Sequence, residues 1–137
     1  MKFFHDASLA ASSHAALRIL TGLLFMQHGV QKLFGMLGGM DGKGATAQLA
    51  SLSGVAGVLE FFGGFLIVAG FFTRPVAFLL AGEMAYAYWM VHVANGGPIP
   101  VQNRGEFAAL LCFVFLFLAF NGAGPFSVDA ARERRRA

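Results

Sequence analysis

Seven ionisable side chains interrupt the apolar stretches of this sequence: Arg18, His28, Lys32, Glu60, Glu83, His92 and, at the opening of the last apolar run, Glu106. An amine, an imidazole or a carboxylate in such surroundings can hold a polar ligand or pass a proton. It is also costly to place there, so it tends to face inward, to pair and to mark a function. Glu60, Glu83 and His28 have the types expected of proton-transfer groups. Lys32, Asn103 and Glu106 supply further donors and acceptors, and Tyr86 and Trp89 supply aromatic surface. His28 and Lys32 are four residues apart and so share a helix face. Arg18, Phe25 and Lys32 fall within about 40° of one another at 3.6 residues per turn. His92, nine residues after Glu83, points nearly opposite to it unless the helix loosens between them.

The elements that position these residues follow from composition. The chain has 137 residues, 57% of them hydrophobic and only 12% charged, against roughly 25% charged in a soluble domain. Its 18 Gly and 16 Phe fit lipid-embedded helices, in which glycine is common. A bilayer core takes about 20 helical residues to cross. Four runs qualify, at about 15–36, 54–72, 75–94 and 106–121, so the expected fold is all-α, a single membrane-spanning four-helix bundle over residues 1–137. A soluble bundle would need polar outer faces on every helix, and the second and fourth runs have none. The Gly-rich segment GGMDGKGATAQ and the segment NGGPIPVQNRG read as loops, and Thr73-Arg74-Pro75 reads as a tight turn. The tail, residues 126–137, reads as amphipathic and basic, lying on the membrane surface or fraying.

Charge placement orients the chain. Lys2, Arg18, Arg74, Arg132, Arg134, Arg135 and Arg136 fall on the side of the termini, while Lys32, Lys43 and Arg104 fall on the other. The positive-inside rule then puts both termini in the cytoplasm, with a multi-pass location in the inner, cytoplasmic membrane. On this topology His28, Lys32, Glu60, His92, Asn103 and Glu106 lie at similar depth in the outer half, with Glu83 beneath them, so that an outward-opening polar pocket is expected. The net charge of +3 is concentrated in the tail and argues for an anionic leaflet, not nucleic acid.

Plainer roles stand beside these. Lys32 and Arg18 have stems long enough to snorkel to the interfaces. His92, near Tyr88 and Trp89, fits interfacial decoration, and Glu106 fits a first-turn acid favoured by the helix dipole. Glu60 and Glu83 are explained by a function or by an ion pair with Lys32 or Arg18. No metal or haem motif occurs: ExxH, CxxCH and HExxH are all absent. The single Cys112 reads as a packing thiol. GxxxG-like faces at Ser53–Gly57 and Glu60–Gly64 would suit a homodimer.

The segments LRILTGLLFMQHGVQKLFG, LEFFGGFLIVAGFFTRPVA, GEMAYAYWMVH, NRGEFAALL and FNGAGPFSVD resemble the DoxX family of four-helix bacterial and archaeal membrane proteins, from about Leu17 to Asp129. The positions that match its pattern are Arg18, His28, Gly29, Lys32, Glu60, Gly63, Gly64, Arg74, Glu83, Asn103 and Glu106. The resemblance implies quinone-linked redox work in the membrane, or a place beside soluble redox enzymes as a partner. A quinone would take hydrogen bonds from His28 and Lys32, exchange protons with Glu60 or Glu83 and pack on Phe61, Phe62, Tyr86 and Trp89. The one cysteine leaves no pair for thiol–disulfide chemistry. Two other readings fit the same residues: a non-catalytic anchor or assembly factor recruiting soluble redox enzymes through its basic tail, and a carrier of a small acidic solute or proton.

Overall fold

A computed structural model describes residues 7–136; Lys2, counted in the charge placement above, lies outside them. The described residues are all helical or loop, with no strand. The helices are α1 (Ala7–Phe34), α2 (Leu52–Ala69), α3 (Thr73–Gly96), α4 (Pro100–Asn103), α5 (Glu106–Asn121) and α6 (Val128–Arg134). Three of them, α1, α2 and α3, are long and apolar enough to cross a membrane, and α5 is a shorter apolar helix. The described residues form two compact units, one holding residues 7–73 together with 123–136, the other Arg74–Gly122.

In the first unit, α1 reaches back to Ala7 because the stretch before Ala15 is rich in Ala and contains neither Gly nor Pro. Its 28 residues span about 42 Å. Its buried stripe is Ala15, Arg18, Gly22, Phe25 and Gly29, spaced three or four residues apart as one helix face requires, with Thr21 buried beside Gly22. Helix α2 starts at Leu52 because the Ser51 hydroxyl accepts the Gly54 N–H at 3.1 Å, an N-cap. It stops at Ala69 because Gly70 takes the left-handed conformation, φ 64°, and its N–H closes on Ile67 O.

Four glycines set how closely α1 and α2 approach. A Cβ on Gly22 would lie 2.7 Å from Gly64 O, and one on Gly29 would lie 2.5 Å from Phe61 N. A Cβ on Gly57 would lie 2.9 Å from Lys32 Cβ, and one on Gly64 would lie 2.7 Å from Met26 Cγ. Backbone therefore meets backbone, the close packing that small residues permit between helices in lipid, where no hydrophobic force drives association. Gly57 and Gly64, expected to serve a homodimer, are spent here against α1 of the same chain.

In the second unit, α5 buries Ala108, Leu111, Phe115 and Leu118 on one face, while Phe113, Phe117 and Phe120 stay exposed. Arg74, in the first turn of α3, donates to Ala119 O at 3.2 Å and to Phe120 O at 2.5 Å. It thus satisfies carbonyls that the end of α5 leaves without intrahelical partners.

Candidate functional site: a buried lysine–glutamate pair

Both long helices that carry an expected acid near their middle depart from α-helical winding. Residues Leu59–Gly63 of α2 and Tyr88–Val93 of α3 form π-helical turns. Such turns are rare and concentrate at functional sites, because one extra residue re-aims the side chains around it. Glu60 stands inside the first. The second supplies the loosening that could turn His92 away from its α-helical phase: one extra residue shifts the phase by roughly 100°.

Lys32 and Glu60 meet in the first unit. Lys32 Nζ donates to Glu60 Oε1 at 2.5 Å. Glu60 is only 4% exposed, whereas the Lys32 side chain is 25% exposed. Gly57, one turn before Glu60, is what lets the lysine stem cross α2. The second carboxylate oxygen, Oε2, is buried and has no hydrogen-bond partner among the described residues. An ammonium has three N–H donors and a carboxylate about four acceptor positions, so the pair retains unused donors beside a buried, unused acceptor. A buried ion pair is costly unless its remaining positions are also satisfied. This one is therefore an incomplete polar site, equipped to take a ligand that both accepts and donates hydrogen bonds.

The other expected site residues are placed as follows. His28 is exposed on α1, one turn before Lys32. The remainder belong to the second unit. Glu83 is half-buried on α3, and Tyr86, Trp89 and Glu106 are exposed. Asn103 is buried and organises the α3–α5 connection: its amide donates to Gly97 O at 2.7 Å, and its Oδ1 accepts the Gly105 N–H at 2.7 Å. Its backbone carbonyl lies 3.1 Å from His92 Nδ1. Both ends of the Asn103 side chain thus hold the connection together.

Arg18 does not snorkel; it is 0% exposed. Its guanidinium donates to Ala123 O and Phe126 O, each at 2.9 Å, and Gly70 leaves the space it occupies. Sequence reasoning missed its neighbour Asp129, whose two oxygens accept Phe72 N–H at 3.0 Å and Thr73 N–H at 2.9 Å. The available signal was an acid two residues after a Ser N-cap. Thr73-Arg74-Pro75, expected as a tight turn, instead forms the first turn of α3, and the bend that Asp129 braces lies just before it, at Phe71-Phe72. No group of three or more His, Cys, Asp or Glu side chains able to hold a metal ion occurs among the described residues.

Comparison with known proteins places these residues in a wider set. The family model described as DoxX matches residues 13–93. A Haemophilus influenzae protein described as "Uncharacterized protein" is 42% identical over 118 residues, 84% of this chain and 87% of that protein. The Bacillus subtilis "Putative oxidoreductase CatD" is 30% identical over 82% of this chain and 81% of its own length. The Escherichia coli "Inner membrane protein YqjF" is 32% identical over 86% and 90%. No solved structure matches.

Proposed function

This chain belongs to the DoxX family of membrane proteins, and on that premise we propose that it serves a quinone-linked redox reaction in the cytoplasmic membrane, with Lys32 and Glu60 as its polar site. The proposed topology has four crossings, α5 being the fourth, and puts both termini in the cytoplasm by the distribution of basic residues. The name of the Escherichia coli relative supports the location, and that of the Bacillus subtilis relative supports the reaction class. The observation that carries the reading is the buried Glu60 Oε2 without a partner, beside a lysine with donors to spare.

These residues fit a quinone by hydrogen-bond chemistry. A quinone, when bound, supplies a two-electron, two-proton acceptor whose oxygens accept hydrogen bonds in the oxidised form and also donate them in the reduced form. Lys32 has N–H groups left for a ligand oxygen. Glu60 Oε2 accepts a ligand hydroxyl and takes or returns its proton. The glycine-lined contact between α1 and α2 holds the two side chains at a fixed separation, so little reorganisation accompanies proton movement. Electrons come from a soluble redox enzyme at the membrane surface, since the sequence carries no cysteine pair, haem motif or dinucleotide-binding glycine motif.

The test is mass spectrometry of the organic extract of detergent-purified protein, with Glu60→Gln and Glu83→Gln each compared with wild type. Near-stoichiometric quinone in wild type, reduced at least tenfold in Glu60→Gln, is expected. Quinone absent from wild type, or equally present in Glu60→Gln, would sink the proposal.

A further inference from the structure

The segment after α5 is tied down, not frayed. Arg18 holds the carbonyls of Ala123 and Phe126. Asp129 takes two N–H groups of the turn that follows α2, and its own N–H donates to Gly70 O at 2.9 Å. The Ser127 hydroxyl caps α6 by accepting the Ala130 N–H at 3.1 Å and donates to Gly124 O at 2.8 Å. The Arg132 guanidinium lies 5.3 Å from the ring centroids of both Phe71 and Phe72, within reach of a cation–π contact.

The fastening produces one surface. Arg132, Arg134, Arg135 and Arg136 are all exposed, facing a single nearby acid, Glu133, that is not engaged in holding the turn. Beside them the rings of Phe72 and Phe126 are exposed, Phe126 by 75%, and Val128 is exposed as well. Phe72 and Phe126 both have left-handed backbones, φ 49° and 55°, a conformation that costs a bulky residue energy and persists where the surroundings impose it. Here the Phe72 N–H is bound to Asp129 and the Phe126 carbonyl to Arg18. Two aromatic rings are therefore held outward at the level where the apolar span α2 ends.

We propose that this end of the first unit, residues 70–73 with 123–136, binds the headgroups of anionic phospholipids. Two observations select lipid as the occupant. The patch continues the lipid-facing exterior of α1 and α2, where Leu20, Leu23, Phe62 and Phe65 are exposed, and it adds to that apolar surface a cluster of arginines complementary to phosphate. Exposed aromatic rings beneath clustered arginines match the interface of a leaflet: the rings seat among the upper acyl chains, and the guanidiniums meet the phosphates. A guanidinium pairs with phosphate through two parallel N–H donors, which favours arginine over lysine in this role. The inference is independent of the quinone reading, because it uses none of the same side chains.

The experiment equilibrates the intact purified protein in mixed micelles of phosphatidylglycerol and phosphatidylcholine and counts bound lipids by native mass spectrometry. Wild type is expected to retain phosphatidylglycerol over phosphatidylcholine. At about a fivefold preference per surface arginine, Arg134→Gln/Arg135→Gln/Arg136→Gln should lower the preference about a hundredfold. The lysine counterpart of that triple variant should keep most of it, and both should unfold at the wild-type temperature because these side chains hold no other part of the chain. Equal retention of the two lipids by wild type would overturn the proposal. So would an unchanged preference in the glutamine variant, the result expected if the arginines instead serve an acidic soluble protein.

Discussion

Removing the lysine from the Lys32–Glu60 pair gives the most demanding test of this structure. In Lys32→Met the stem still fills the space beside Gly57, but Glu60, 4% exposed, loses the partner held at 2.5 Å. Uncompensated buried charges of this kind cost about 3–5 kcal/mol. Glu60→Gln should cost less, about 1–3 kcal/mol, the range for a buried polar group left unsatisfied, because Lys32 is 25% exposed and its ammonium can swing toward a more polar region. The double variant removes both charges and leaves only the buried amide of Glu60→Gln short of a partner, so it should cost no more than Glu60→Gln alone, about 1–3 kcal/mol. The coupling is then about as large as the Lys32→Met cost itself, about 3 kcal/mol or more, at the upper end for residues in direct contact. The assay is equilibrium unfolding of the four proteins in mixed micelles of rising denaturing-detergent fraction. Single effects that simply add, or a Lys32→Met cost within about 0.5 kcal/mol of zero, would refute the argument that the pair is a buried, mutually compensating unit. Quinone retention measured on the same four proteins separates stability from function: the double variant, more stable than Lys32→Met, should hold none.

Further outcomes follow from other contacts. Gly29→Ala places a methyl group 2.5 Å from Phe61 N; forcing α1 and α2 apart should cost about 1–3 kcal/mol, whereas Gly82→Ala, with nothing within 4 Å, should be tolerated in the same unfolding assay. Ser127→Ala removes an N-cap and should cost about 1 kcal/mol, with faster proteolysis after the α6 arginines. Asp41 accepts the N–H groups of Lys43 and Ala45 at 2.8 and 3.0 Å, and these bonds, Ala45 first, hold its carboxyl below the usual aspartate range. A lowered carboxyl contributes order above the unfolded value of about 3.9 and loses it as pH falls through the lower folded value. The loop should therefore keep its structure down to about pH 4 and loosen only below that, as followed by the Asp41 carboxyl carbon shift; a midpoint at or above the ordinary aspartate value would contradict the geometry.

Much of the architecture was legible because lipid imposes simple rules. Long apolar runs must be helices, since backbone groups have no water to bond. Charges within those runs could be picked out one by one, and Lys32 and Glu60 could be placed at similar depth by counting residues along antiparallel spans. The boundaries of α5 were readable too, because Glu106 and the Gly after Asn121 punctuate an uninterrupted apolar run.

Which charge meets which was not readable. Glu60 was expected to share its depth with two bases of α1, Lys32 and His28, on the same helix face. They stand four residues apart, about 6 Å along the axis, and only the packed helices decide between them. Gly22 against Gly64 and Gly29 against Gly57 set the register of α1 on α2, and that register puts Glu60 opposite Lys32 and Gly70 opposite Arg18. The π-helical turn at Glu60 likewise escapes sequence periodicity, since a single inserted residue leaves no mark in composition. The sequence by itself determined which charges interrupt the apolar runs, because hydropathy is a one-dimensional property of the chain; of these, Arg18 and Glu60 are buried in the structure. The tertiary structure decided their partners: Lys32 for Glu60, and for Arg18 the carbonyls of a segment more than a hundred residues away. Pairing depends on side-chain contact in three dimensions, and no pattern along the chain encodes it.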